Sequence, residues 1–168
     1  MLIDVHRQGR LVAIAGVALT SLAGRTISIT ADHGATGTTA KVARDGSFSA
    51  RVAAPPSNQV SYRARLGADR SVPLKLSRHL TVVSRKNVAG GVRIVARHSK
   101  GKSVEGERAT VLRQTGCGRQ STHARVRFDE EGRVAVTLPL PKAPDTVAVY
   151  RVTTKTNRTF TLPIVVRR

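Results

Sequence analysis

Thr39-Ala40-Lys41-Val42-Ala43-Arg44-Asp45-Gly46-Ser47-Phe48 returns later in the chain as Thr122-His123-Ala124-Arg125-Val126-Arg127-Phe128-Asp129-Glu130-Glu131-Gly132-Arg133-Val134. In both copies two alternating stretches flank an acidic-glycine turn, which is how a β-hairpin or a sheet-to-sheet turn is written. The correspondence extends outward. Downstream, Pro55 matches Pro141, Tyr62-Arg63 matches Tyr150-Arg151, and Arg70-Ser71-Val72-Pro73-Leu74 matches Arg158-Thr159-Phe160-Thr161-Leu162. Upstream, Gly24-Arg25-Thr26-Ile27-Ser28-Ile29 pairs with Gly106-Glu107-Arg108-Ala109-Thr110-Val111, which sets 9–15 against 91–97. An internal repeat of this size means two copies of one structural unit.

Apolar and polar residues alternate with period two along nearly every segment, and none keeps helical spacing for a dozen residues. The expected strands are 2–5, 10–15, 25–31, 39–44, 47–53, 59–66 and 70–76, then 79–84, 91–97, 107–114, 122–128, 133–140, 146–154 and 158–166. Turn residues separate them: Asp32-His33-Gly34, Asp45-Gly46, Pro55-Pro56-Ser57-Asn58, Gly67-Ala68-Asp69, Gly90-Gly91 and Gly116-Cys117-Gly118 among others. Short strands at this spacing bury their inner faces by packing sheet on sheet. The expectation is an all-β chain of two tandem seven-stranded sandwiches, 1–77 and 78–168, joined near Ser77-Arg78.

The N-terminus offers a competing reading. Arg7 and Arg10 precede the apolar run Leu11-Val12-Ala13-Ile14-Ala15-Gly16-Val17-Ala18-Leu19, and Ser21-Leu22-Ala23 has the small residues of a cleavage site, as in a signal peptide. The same run, however, is duplicated inside the chain at 91–97, where no leader can stand, so it is expected to be a strand of the first unit. Tyr62 and Tyr150, at matched positions, are expected to fill the core edge and to bond a loop carbonyl through their hydroxyls.

With its opening strand, its glycine before the second sheet, its Asp45-Gly46-Ser47-Phe48 or Asp129-Glu130-Glu131-Gly132-Arg133-Val134 turn, the following proline and the Tyr-Arg strand, each repeat resembles the tandem Ig-like modules of actinobacterial secreted and cell-surface proteins. The resemblance covers almost the whole chain, and its motifs are structural. It implies Ig-like or fibronectin-III-like sandwiches that serve as non-catalytic spacers or adhesive modules of exported proteins, beside other domains of a larger protein. Within residues 1–168 neither a separate leader nor a catalytic domain beside the repeats is expected, which is where the sequence departs from that pattern.

Across 168 residues, 40% hydrophobic residues is enough for a core, but three Phe, two Tyr and no Trp make that core aliphatic. So few aromatics disfavour recognition by stacking. Lys plus Arg number 29 against ten Asp plus Glu, a net charge of +19. Residues 1–77 hold ten cations and four acids, net +6, and residues 78–168 hold nineteen and six, net +13. Arginines that alternate with apolar residues, as in Arg125-Val126-Arg127-Phe128, belong on outer sheet faces. An anionic partner is the expectation: a cell-wall polymer, an acidic polysaccharide, or nucleic acid bound without sequence preference. Cys117 is the only cysteine, which excludes an intrachain disulfide and an all-cysteine zinc site.

Catalytic patterns are nearly missing. Ala96-Arg97-His98-Ser99-Lys100-Gly101-Lys102-Ser103 fits a relaxed phosphate-loop form, but that chemistry needs a helix N-terminus after Lys102, whereas Gly106 and a repeat-matched strand follow. His6, His33, His79, His98 and His123 show no ligand spacing and are expected at the surface. Asp129-Glu130-Glu131 reads as a turn, and Asn157-Arg158-Thr159 as a chance glycosylation pattern. No catalytic, cofactor or metal residue is therefore expected. The expected function is a structural or adhesive module, secreted or at the cell surface, with no transmembrane segment. The alternatives are a basic polyanion-binding module and an accessory domain of an enzyme.

Overall fold

The computed structural model describes residues 1–116, 118–142, 147–154 and 160–167. The described residues are all β apart from two short 3-10 turns, and the chain divides into two compact units, Met1–Ser77 and Arg78–Arg168. No helix among the described residues is long and apolar enough to cross a membrane.

In the first unit β1 (Leu2–Gln8), β2 (Leu11–Val17) and β5 (Ser47–Ala53) form one antiparallel sheet in the order β1-β2-β5. The second sheet runs β4 (Thr38–Lys41), β3 (Thr26–Ala31) and β6 (Ser61–Leu66), and β6 also pairs with the short strands β7 (Asp69–Arg70) and β8 (Leu74–Lys75). The apolar run near the N-terminus is thus the middle strand of a sheet. Val12 and Ile14 on β2 are 0% and 1% exposed, because alternate residues of a central strand face the opposing sheet.

The second unit repeats the plan. One sheet is β9 (Leu80–Val88), β10 (Gly91–His98) and β13 (Arg133–Pro139), in the order β13-β10-β9. The other is β12 (Arg119–Arg127), β11 (Arg108–Gly116), β14 (Val147–Thr154) and β15 (Ile164–Arg167). Val92, Ile94 and Leu138 from the first sheet and Val111, Tyr150, Val152 and Val166 from the second share one buried cluster, so the sheets pack face to face as a sandwich.

Backbone bonds give the repeat its true register. Val42 N–H donates to Arg25 O and Phe128 N–H to Glu107 O; Gly46 N–H donates to Ala43 O and Gly132 N–H to Asp129 O. Downstream, the hydroxyl of Ser71 accepts from Ala64 N–H at 3.0 Å and that of Thr161 accepts from Val152 N–H at 3.0 Å. Both hydroxyls stand in for a missing ladder carbonyl. Ser71 is therefore equivalent to Thr161, two residues later than the expected match with Thr159, which lies outside the described residues. The same hydroxyl insertion splits the expected strand 70–76 into β7 and β8.

The first strands differ most from expectation. They run to Gln8 and Val88, beyond the expected ends at 5 and 84, because each carries a register shift near its start: between Leu2 and Asp4 opposite β2, and beside Val95 and Ala96 of β10. An extra residue there moves the inward-facing positions from even to odd spacing. Arg7 then stands opposite Val12, and Arg85 opposite Ile94, both core residues. Each guanidinium closes the open side of its sandwich. Arg7 Nε donates to Asn58 Oδ1 at 2.9 Å and Arg7 Nη2 donates to Pro55 O, while Arg85 Nη2 donates to Val165 O at 2.7 Å. An inward charge on an edge strand also discourages pairing with another chain.

Candidate functional site

Outer faces of the second unit carry the charge. On β10 the residues between core positions are Arg93, Val95 and Arg97; Arg93 lies directly across from Lys86 of β9, and Arg97 from Arg133 of β13. On the other sheet Arg108 lies directly across from Arg127, and Arg125 is next but one along β12. All seven side chains are exposed. Like charges directly opposite on a sheet repel and destabilise it, by an amount of order 0.2–1 kcal/mol per pair. Among the described residues Glu131, bonded to Arg133, is the only acid paired with any of them. Arg127 Nη1 donates to Gly106 O at 2.9 Å, which holds that guanidinium along the face. The first unit has one such pair, Arg65 with Arg70.

His98 overturns the expectation of a surface histidine: it is 0% exposed, at the inner face of β10. The alternation of β10 explains why: Val92, Ile94 and Ala96 face inward, and His98 is next in the series. His98 N–H donates to Gly132 O as Ala18 N–H does to Gly46 O, so the equivalent residue in the first unit is Ala18, and His98 places a ring where the first unit has a methyl group. Gly16 lies opposite Phe48, where a Cβ would stand 2.0 Å from Phe48 Cζ, and the equivalent pair in the second unit is Ala96 opposite Val134. The imidazole packs edge-on to Phe128 at 5.8 Å and lies parallel to His79 at 5.8 Å. Lys100 N–H donates to Nδ1 at 3.1 Å, which assigns the ring proton to Nε2.

Burial pushes the His98 pKa below the usual histidine value; the neighbouring His79 and Lys100 act in the same direction and Glu107 against it. The unfolded chain therefore binds this proton more tightly than the folded one. The stability contributed by neutral His98 is complete above the unfolded pKa of about 6.5 and is lost as pH falls toward the lower folded value. Between pH 7.5 and pH 5 the native protein should lose more unfolding free energy than the His98→Gln variant, as read by denaturant titration. Equal losses would remove His98 as the cause.

The stretch that fits a phosphate-loop form is a turn. Gly101–Val104 is a single 3-10 turn, matched in the first unit by Thr20–Leu22, and it leads through Gly106 into β11 rather than into an α-helix. Ser103 Oγ bonds back to Lys100 O at 3.0 Å. The acidic runs are turns as well: Asp45 Oδ1 accepts from Ser47 N–H at 2.9 Å and Asp129 Oδ1 from Arg133 N–H at 2.8 Å, each starting the next strand. These bonds from Ser47 hold the Asp45 carboxyl below its ordinary pKa.

Both tyrosines are buried, at 0% and 1% exposure. Tyr150 OH donates to Pro139 O at 3.4 Å, whereas the Tyr62 hydroxyl has no hydrogen-bond partner among the described residues. Arg63 is exposed on its outer face, but its repeat partner Arg151 is 2% exposed, with its guanidinium 4.5 Å over the Phe160 ring. Burial, and then the charge of Arg78, lower the Arg151 pKa to about 10, which leaves it a cation at neutral pH. No group of three His, Cys, Asp or Glu able to hold a metal occurs among the described residues. Cys117 and Asn157 lie outside them.

No protein-family model matches this chain, and no curated protein does. Among solved structures, a DUF3823 family protein from Bacteroides ovatus is similar at 13% identity and a TM-score of 0.36, over 92% of each chain. A DUF3823 family protein from Parabacteroides merdae is similar at 13% identity and a TM-score of 0.33, over 97% of this chain and 96% of that one. Likenesses this distant carry no argument about what the chain does.

Proposed function

We propose that this chain is a non-catalytic adhesive module of an exported protein, built of two Ig-like sandwiches, whose second unit binds anionic polymers through its outer sheet faces. The observation that carries the reading is the set of cross-strand cation pairs, Lys86 with Arg93, Arg97 with Arg133 and Arg108 with Arg127. Repulsion between such pairs is relieved by an anionic polymer laid across them, and release of the polymer's counterions drives the association. Arginine keeps its charge at any relevant pH and bonds phosphate, sulfate or carboxylate with two parallel N–H groups.

Full-length protein with Lys86, Arg93, Arg97, Arg108 and Arg127 all changed to Gln should bind a sulfated polysaccharide or linear polyphosphate more weakly by at least about tenfold, measured at fixed salt. Changing Arg51, Arg63, Arg65 and Arg70 of the first unit should cost about threefold or less, and native binding should weaken steeply as salt rises. Equal losses in the two variants, or affinity indifferent to salt, would remove the second unit as the contact surface.

A further inference from the structure

The second unit is open along one side, where its edge strands β9 and β15 face each other and Arg85 spans the gap to Val165 O. Beside that guanidinium lies a cleft of about 610 Å³. Arg85, Asn87 and Arg167 provide its polar groups; Val88, Val92 and Leu140 provide its apolar surface. No carboxylate is among the described residues that line it. Val92, 3% exposed, belongs to the core and forms the floor, whereas Val88 and Leu140 at the rim are 40% and 39% exposed.

The first unit shows what a guanidinium on this edge strand can hold. Arg7, which stands opposite Val12 as Asn87 stands opposite Val92, takes an amide oxygen from Asn58 and a carbonyl oxygen from Pro55, two acceptors presented side by side by one loop. Arg85 spends Nη2 on Val165 and keeps the rest of its fork, with a second guanidinium at Arg167 and the Asn87 amide close by. Two convergent cations call for an anion, and a planar fork favours a carboxylate. The apolar floor and rim call for an aliphatic body attached to it, and the volume is within the range of small-ligand sites.

We infer that the cleft between β9 and β15 binds a medium-chain aliphatic carboxylate, with the carboxylate held by Arg85, Arg167 and the Asn87 amide and the chain lying over Val92 between Val88 and Leu140. None of the residues that line this cleft is among the cations assigned to polymer binding, so the two sites are distinct.

Calorimetric titration of the full chain tests this with octanoate as the probe, against octan-1-ol and inorganic phosphate. Octanoate should bind, and each of the other two should bind at least about tenfold more weakly, because each offers only half of the recognition. Arg167→Glu should weaken octanoate by at least about tenfold and Leu140→Ser by about threefold; both positions are exposed, and unchanged thermal unfolding shows that the fold is kept. The five-residue outer-face variant should bind octanoate as the native chain does, which separates this site from the polymer surface. Octanol or phosphate binding as tightly as octanoate, binding unaffected by Arg167→Glu, or no octanoate binding would each overturn the assignment.

Discussion

Replacing Ile14 with Asp should lower the unfolding free energy by about 4 kcal/mol, enough to unfold the first unit if its stability is ordinary for its size. Ile14 is 1% exposed in the middle of β2, hydrogen-bonded on both sides, opposite Val5 on β1 and Ala50 on β5. A carboxylate there loses its water and gains no cation on the inner face. The milder Ile14→Val removes one methylene and should cost about 1 kcal/mol. Denaturant titration reads both, and amide exchange of residues 11–17 localises the damage. If the Asp variant kept its stability within 1 kcal/mol, the run 11–19 would behave as a dispensable leader and not as a core strand.

Gly132→Ala is the second large effect, with an expected loss of about 3 kcal/mol. Gly132 has a φ of +69°, a left-handed conformation that costs an L residue roughly 1–2 kcal/mol. It also sits against the 3-10 turn, where a Cβ would stand 2.5 Å from Gly101 O, a backbone atom that moves only with the turn itself. Gly46 is arranged in the same way against Ala18 O, again at 2.5 Å. Gly106 is the internal control: its φ is +73°, but nothing lies within 4 Å of its would-be Cβ. Gly106→Ala should therefore cost only the backbone part. Similar losses for the two variants would show that the clash is absorbed and that only the dihedral matters.

Much of the fold was legible because alternation and turn chemistry are local. β2, β5, β10 and β13 lie within a residue or two of their expected positions, since each alternates cleanly and starts at or just after a turn glycine. What was missed lies where alternation is broken by a bulge. The residues after Ile3 and Val83 look like polar turn residues when read with period two, so the strand ends, and with them Arg7 and Arg85, were hidden. Register in β1 and β9 is decided by pairing with β2 and β10, and that pairing is invisible from either strand alone.

The burial of His98 was hidden for a different reason. A histidine beside Ser99, Lys100 and Gly101 reads as the rim of a turn, and only the packing shows that it continues the inward series of β10 and lies against Phe128. The sequence by itself determined the all-β class, the internal repeat, the core tyrosines and the concentration of charge in the second half, because each depends on composition or on neighbours along the chain. Tertiary structure alone decided which arginines face outward in pairs, which one lies under Phe160, and which guanidinium stands at the mouth of a cleft. Those outcomes depend on what the opposite strand or the opposite sheet presents at that point, and volume and charge are balanced across the sandwich rather than along the chain.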